Sequence, residues 1–277
     1  MRLENNLYVN DACLEKLISS CPVLEDLSFV KRYEDDNVKV IRVHSLTLTS
    51  LSIKANHRLD YENAGFIIDA PRLKHLNIKD ATSKNKTIIN LGSLTNVSFL
   101  VKMFPRYNIA DYDEVDFLMF RNFFTSISGL RDMKISWDAL EFIDKFTPLP
   151  QFCNLSSLEI EIFWLFPKEL PRFLESCPNL RSLILDFNDS WVMEYTKLTT
   201  VPRCLMSSLE FVAIKDETKF VIDTVIELAS YFAENAAILK KLVLHLGGGS
   251  TNEKHSKSLN NLMASPRRSS TCQIVVC

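Results

Sequence analysis

Glycine is scarce in this sequence, with only 6 residues among 277. Loops that cradle phosphate groups and the turns of dinucleotide-binding folds need glycines in pairs and triplets. The one cluster, GGGST at residues 247–251, lacks the lysine that a P-loop places directly after its last glycine. The sequence therefore disfavours both classes of nucleotide-binding protein, and we interpret the cluster as a loop between the last strands.

No charge of one sign dominates the chain. It has 32 Lys and Arg residues against 34 Asp and Glu residues, a formal net charge of −2. Nucleic acid is therefore not the expected partner, because its phosphates demand a basic surface. The N-terminus has no apolar core of the signal-peptide kind, and no apolar run approaches the ~20 residues that span a bilayer. We expect no membrane association and a cytoplasmic or nuclear location.

Cysteine and histidine spacings of the metal-binding kind are also missing. The seven cysteines are irregularly spaced and form no Cys-x-x-Cys pair, and the five histidines show no ligand spacing. This favours free thiols in a reducing compartment over disulfides or a zinc site. We therefore expect no metal and no cofactor. A cysteine-dependent hydrolase stays open as an alternative, because a fold can bring a thiol and an imidazole together from distant positions.

The dominant feature that is present is a repeated pattern of the form apolar-x-x-apolar-x-apolar. It recurs at intervals of roughly 20–30 residues, which is typical of leucine-rich repeats. The longest interval contains an insertion at residues 102–114. The nine middle positions are Leu27, Leu51, Leu76, Val97, Met133, Leu158, Leu183, Val212 and Leu242.

The spacing within the pattern predicts short strands. Its last two apolar positions are two residues apart, which places both side chains on one face of a strand. A helix bundle would need spacings of 3 and then 4. Single short strands cannot bury their apolar face alone, so parallel stacking is expected to build one core. Helical periodicity is expected at residues 11–20, 117–127, 169–177 and 219–235, and a final strand at 271–276.

These features predict an α/β fold of the leucine-rich-repeat solenoid type. Its curved parallel β-sheet would carry helices and loops on the convex side. The outward positions of the strands would then form an extended concave face.

Several segments resemble those of plant F-box/FBD/leucine-rich-repeat proteins. Residues 19–27, SSCPVLEDL, and residues 67–76, IIDAPRLKHL, are similar to two of the family's repeats. Residues 204–215, 232–242 and 265–275 are similar to segments of its FBD domain. The resemblance implies a leucine-rich-repeat region at 1–201 and an FBD domain at 202–277 that continues the stack.

The same resemblance implies a function in protein recognition. Members of the family usually begin with an F-box, which docks the Skp-type adaptor of a cullin–RING ubiquitin ligase. No such segment is recognisable here, so direct adaptor binding is not expected. The expected role is a non-catalytic scaffold that binds a ubiquitination substrate or a similar protein. A degenerate paralogue without a selected partner is a further alternative.

The candidate partner-binding residues are the outward strand positions. They are short, polar and mixed in charge, which favours a protein or peptide partner. Glu159 and Glu161 share this face, and we interpret them as a solvated acidic patch rather than a catalytic pair. The candidates are Asp26, Ser28, His75, Asn77, Lys79, Asn96, Ser98, Asp132, Lys134, Ser157, Glu159, Ser182, Phe211 and Lys241.

Overall fold

The computed structural model describes residues 1–31, 37–55, 65–80, 85–101, 114–162, 169–187, 198–216, 222–247 and 253–277. The chain divides into two compact units. The first comprises Met1–Met133 and Asp138–Gln151, and the second comprises Lys134–Trp137 and Phe152–Cys277. In the described part of the chain, no helix combines the length and the apolar character needed to cross a membrane.

The first unit contains most of the short strands. Their bounds, in chain order with the helices, are β1 (Arg2–Glu4), α1 (Asp11–Ser19), β2 (Asp26–Val30), β3 (Val40–His44), β4 (Ser50–Ala55), β5 (Gly65–Asp69), β6 (His75–Asp80), β7 (Asn85–Asn90), β8 (Asn96–Val101) and α2 (Glu114–Ser126). The strand β9 (Asp132–Ser136) and the helix α3 (Trp137–Asp144) each contribute residues to both units.

A parallel ladder of strands forms the base of the first unit. The strands β1, β2, β4, β6 and β8 are neighbours in that order. The register pairs Leu27 with Leu51, Leu51 with Leu76 and Leu76 with Val97. All four side chains are buried. Successive repeats therefore place the same pattern position in line, and the apolar faces merge into one core.

The return segments of the first unit differ from the prediction of helices and loops alone. Three of them form strands, β3, β5 and β7, which pair in parallel as a separate small sheet. The sequences VIRVH and GFIID are rich in β-branched residues, which favour an extended backbone. The helix α1 packs against β3. This second sheet closes the core from the other side.

Aromatic side chains complete that core. Phe123 of α2 lies 4.7 Å from Phe99 of β8 and 6.4 Å from Phe66 of β5, measured between ring centroids. Phe124 stands edge-on to Phe99 at 5.7 Å. All four rings are fully buried. The helix α2 is thus fixed to strands of both sheets by ring packing.

The second unit repeats the ladder with helical returns. Its elements are β10 (Ser157–Ile162), α4 (Leu170–Glu175), β11 (Ser182–Phe187), α5 (Arg203–Ser207), β12 (Phe211–Asp216), α6 (Ile222–Asn235), β13 (Lys241–Leu246), α7 (Glu253–Ala264) and β14 (Gln273–Val276). The strands are parallel neighbours in chain order. Leu158, Leu183, Val212 and Leu242 align across them, and each is completely buried.

The helices of the second unit cover one face of its strands. The amphipathic helix α6 packs against β12 and β13, and α7 packs against α6. The Tyr231 hydroxyl on α6 donates a 2.6 Å hydrogen bond to the carbonyl oxygen of Thr200. Helices therefore close the core from one side of these strands. In the described part of the second unit, the helix that contacts the strands most extensively is α6.

Most of the expected elements are confirmed. All nine middle positions of the repeat lie in strands and are buried, and the α/β stack of parallel strands is the predicted one. The helices expected at 11–20, 117–127 and 169–177 form with shifted ends, and that at 219–235 is described from Ile222 onward. The helices α3, α5 and α7 were not anticipated. The insertion at 102–114 and the loop at 247–251 lie outside the described residues except for Glu114 and Gly247.

Candidate functional site

The fourteen candidate residues all lie on strands, on the face opposite the core. Each of them is half-buried or exposed, and none is buried. The first unit carries seven on β2, β6 and β8 together with Asp132 at the start of β9. The second carries the other six. The predicted orientation is therefore correct, while partner binding by these residues stays a prediction.

The outward face of the first unit is a polar surface. Its register sets Ser28, Ser52, Asn77 and Ser98 side by side. The Asn77 amide donates a 3.3 Å hydrogen bond to the Ser52 hydroxyl, and Asn96 donates one of 2.6 Å to the Asp132 carboxylate. Amides and hydroxyls can both donate and accept hydrogen bonds. This face can accordingly contact the backbone or polar side chains of a bound protein.

The outward face of the second unit carries a cluster of ionised side chains. The Lys134 ammonium lies 2.8 Å from Glu159 Oε1 and 2.7 Å from Glu161 Oε1. The Lys215 ammonium lies 3.6 Å from Asp186 Oδ2 and 3.9 Å from Glu159 Oε1. We call these five residues the charged cluster. The Glu161 side chain is only 12% exposed, so the interpretation of Glu159 and Glu161 as a solvated patch is wrong.

The charged cluster shifts the titration of its members. Burial raises the pKa of Asp186, and the neighbouring Glu159 and Glu161 raise it further, against the opposing effect of Lys215 and Lys134. Burial lowers the pKa of Lys134, but its hydrogen bonds to Glu159 and Glu161 and the attraction of their negative charges together outweigh this, so the pKa lies above its ordinary value. Keeping the Asp186 carboxylate ionised therefore lowers the stability of the folded chain.

We expect Asp186→Asn to stabilise the folded chain at pH 7. A carboxylate with a raised folded-state pKa contributes stability below its unfolded pKa of about 3.9 and loses it as the pH rises. Asp186→Asn removes that loss. The free energy of unfolding of the variant should therefore exceed that of wild type by more at pH 7 than at pH 4. Urea unfolding at both pH values measures it, with Asp26→Asn in the first unit as the matched control. An advantage that shrinks toward pH 7 would contradict the assignment.

Beside the charged cluster lies a row of apolar outward residues. The register pairs Ile184 with Ala213, Ala213 with Val243 and Val243 with Val275. We call these four residues the apolar strip. The selection of polar candidates missed them, although the sequence shows the signal. The strands SLILDF, FVAIKD and KLVLHL have continuous apolar runs where strict alternation would place a polar residue.

The cysteines bear on the hydrolase alternative. Cys177 and Cys204 are buried, whereas Cys13, Cys153 and Cys277 are exposed. Burial raises the pKa of the Cys204 thiol to about 12 and also raises the pKa of Cys177. The Cys204 thiol donates a 3.6 Å hydrogen bond to the Leu174 carbonyl oxygen. The thiolate is the nucleophilic form, so these two residues are poorly suited to catalysis at neutral pH.

We therefore expect a selective pattern of thiol alkylation. In the folded chain at pH 7.5, iodoacetamide should label Cys13, Cys153 and Cys277 and leave Cys177 and Cys204 largely unlabelled. The reason is that burial blocks access and keeps both thiols protonated. Peptide mass spectrometry gives the rate at each site, and the urea-unfolded chain is the control in which all sites should react. Faster labelling at Cys204 than at Cys153 would support the hydrolase instead.

Among the described residues, no group of three or more His, Cys, Asp or Glu side chains could hold a metal ion. The first unit has an open cleft of about 560 Å³ beside α2, with Phe117, Leu118 and Phe146 in its lining and Arg121 and Lys145 among its charged groups. It contains none of the candidate residues, and it is lined by α2 and by the segment that follows α3.

Comparison with known families gives two matches. The FBD family model matches residues 197–244, and the model described as the LRR repeats of FBD-associated F-box protein At5g56370 matches residues 3–113. The first covers β12, α6 and most of β13, whereas the second covers the strands of the first unit up to β8. The two matches contain both quoted repeat segments and the C-terminal segments at 204–215 and 232–242, whereas the segment at 265–275 lies beyond the FBD match.

Individual relatives align with essentially all of the chain. FBD-associated F-box protein At5g22730 of Arabidopsis thaliana is 51% identical over 292 residues, covering 100% of this chain and 61% of that protein. Two other Arabidopsis thaliana proteins, putative F-box/FBD/LRR-repeat protein At5g22610 and F-box/FBD/LRR-repeat protein At2g26030, are 42% and 37% identical. They also align with 100% of the chain, which spans 58% and 64% of their lengths. No solved structure gives a significant match.

Proposed function

From its homology to the plant F-box/FBD/leucine-rich-repeat proteins, we propose that this chain is a non-catalytic scaffold that binds another protein through the outward faces of its strands. The observation that carries the proposal is the register of the parallel strands. It holds equivalent outward side chains in rows, on strands whose other face is closed by a hydrocarbon core. Such a surface is ordered before binding, so association costs little conformational entropy.

Repeat geometry explains how the surface works. Neighbouring strands lie about 4.8 Å apart, so each row offers a contact at that interval along a bound segment. The fixed backbone leaves specificity to the side chains alone. The two units differ in those side chains, since the first presents amides and hydroxyls and the second presents the charged cluster and the apolar strip.

The more specific proposal is substrate recognition for a cullin–RING ubiquitin ligase, in the cytoplasm or the nucleus. Support comes from the F-box in the names of the relatives. The chain spans about 60% of the length of those relatives. Its contribution would be to hold the substrate near the ubiquitin donor, with no bond made or broken by the chain itself.

Proximity labelling in plant cells tests the scaffold role. The chain is fused to a biotin ligase and compared with a face variant, Ser28→Arg with Ser182→Arg, which places a long cation on each outward face. The matched control, Val23→Arg with Met206→Arg, makes the same change at exposed positions away from those faces. We expect a set of labelled proteins shared by wild type and control and lost in the face variant. Identical labelling by all three would refute the proposal.

Adaptor binding is tested separately. We expect the 277-residue chain not to retain a purified Skp-type adaptor in a pull-down. The same chain with an F-box fused ahead of Met1 should retain it and serves as the positive control. In cells, the fused form should shorten the lifetime of proteins labelled in the proximity experiment. Adaptor binding by the unfused chain would show that a docking element lies within these residues.

A further inference from the structure

The apolar strip crosses four neighbouring strands of the second unit. Three strand spacings of about 4.8 Å make it roughly 14 Å long. Ala213 and Val243 are 3% and 5% exposed and are therefore buried, whereas Ile184 and Val275 at its ends are half-buried. The accessible apolar surface of the strip thus lies at its two ends, and Ile184 is the end beside the charged cluster. An apolar group placed on Ile184 displaces water favourably.

The charged cluster lies directly beside the strip on the same face. Asp186 follows Ile184 by two residues on β11, and Lys215 follows Ala213 by two on β12. The register sets Glu161, Asp186 and Lys215 side by side, one row beyond the strip. An extended segment lying over Ile184 can therefore reach Asp186 with its next side chain on the same face.

The charges within the cluster do not balance. Two ammonium groups, from Lys134 and Lys215, face three carboxylates, from Glu159, Glu161 and Asp186, so the sum is 2 − 3 = −1. Both lysines already bridge two carboxylates each. The surplus negative charge is partly withdrawn from water, since Asp186 and Glu161 are 14% and 12% exposed. Among the described residues, no third cation forms an ion pair with these carboxylates, so one further cation would complete the set.

We propose that this face binds a protein segment in which a large apolar residue is followed within two positions by arginine or lysine. The apolar side chain contacts Ile184 at the accessible end of the strip, and the cation pairs with Asp186 and Glu161. Arginine suits the position best, because its guanidinium can bridge two carboxylate oxygens in a fixed plane. This assignment rests on the proposed scaffold function and defines the partner of one part of its surface.

Selection from a phage-displayed library of random dodecapeptides on the full chain provides the test. We expect the enriched peptides to combine a large apolar residue with arginine or lysine one or two positions later. A fluorescent copy of an enriched peptide should bind the Glu161→Gln/Asp186→Asn double variant at least tenfold more weakly. Its affinity for Glu227→Gln, an amide change at an exposed position of α6 outside the candidate residues, should match wild type. Binding should also weaken as salt concentration rises.

Folding of the double variant is checked by urea unfolding, and Asp186→Asn alone is expected to fold more stably than wild type. Enrichment of acidic peptides, equal binding by the double variant, or a failure to enrich any peptide would each overturn the inference. Peptides that depend on the first unit's face instead would overturn it while leaving the scaffold function intact. Self-association of the chain that the double variant abolishes would identify a second copy as the occupant and also overturn it.

Discussion

Replacing Leu183 by alanine is expected to lower the free energy of unfolding by about 2–5 kcal/mol. Leu183 lies on β11, is completely buried, and is paired in register with Leu158 and Val212. Removing its side chain leaves a cavity between strands that are fixed on both sides, and a fixed ladder cannot collapse to fill it. Urea unfolding of wild type and variant measures the loss.

The adjacent residue supplies the control for this prediction. Ser182 precedes Leu183 on the same strand and is half-buried on the outward face. We expect Ser182→Ala to change the unfolding free energy by no more than about 0.5 kcal/mol. If the two alanine variants proved equally stable, the alternation of core and outward residues along β11 would be refuted, and with it the surface on which the proposed function depends.

Replacing Phe123 by alanine is expected to cost about 3–5 kcal/mol in the first unit. The Phe123 ring is 1% exposed, and its centroid lies 5.2 Å from that of Phe124 as well as near Phe99 and Phe66. The truncation thus empties the centre of a ring cluster that joins α2 to strands of both sheets. Hydrogen exchange followed by mass spectrometry should show the loss of protection in β5, β8 and α2.

Leu118 gives a matched control on the same helix. It is also a large apolar residue of α2, but it is 55% exposed. Leu118→Ala should leave the unfolding free energy within about 0.5 kcal/mol of wild type and leave protection in β5 and β8 unchanged. Comparable destabilisation by both variants would mean that α2 does not pack through its phenylalanine face.

The two stability predictions bear on function through the outward faces. Rows of binding side chains keep their spacing only while the strands beneath them stay paired. A core variant such as Leu183→Ala should therefore weaken partner binding only to the extent that it populates unfolded chain. In contrast, the Glu161→Gln/Asp186→Asn variant should lose binding while the strands remain folded. Measuring stability and binding on the same samples separates the two effects.

The repeat could be predicted from the sequence because its signal is local and is repeated nine times. Two apolar residues two positions apart predict each strand. The alternation of side chains along a strand then predicts that Leu27 is buried and that Ser28 faces outward. The helices with clear amphipathic periodicity, such as α6, could also be predicted because their signal is local. The helices α3, α5 and α7 were missed. α5 spans only five residues, and periodicity is hard to recognise in so short a segment.

Sequence alone thus determined the strand ladder, its buried face and the resemblance to the plant F-box/FBD/leucine-rich-repeat proteins, because these depend on patterns within a few residues of one another. The tertiary structure decided the second sheet of β3, β5 and β7 and the character of the second unit's surface. Lys134 and Glu161 are 27 positions apart, and only the strand register brings their charges to 2.7 Å. In the same way, Ile184, Ala213 and Val243 form one strip only because three strands align them. The apolar runs of β11, β12 and β13 show that each strand has an apolar outward residue, but the alignment of these residues into one strip and the charge balance depend on neighbouring strands.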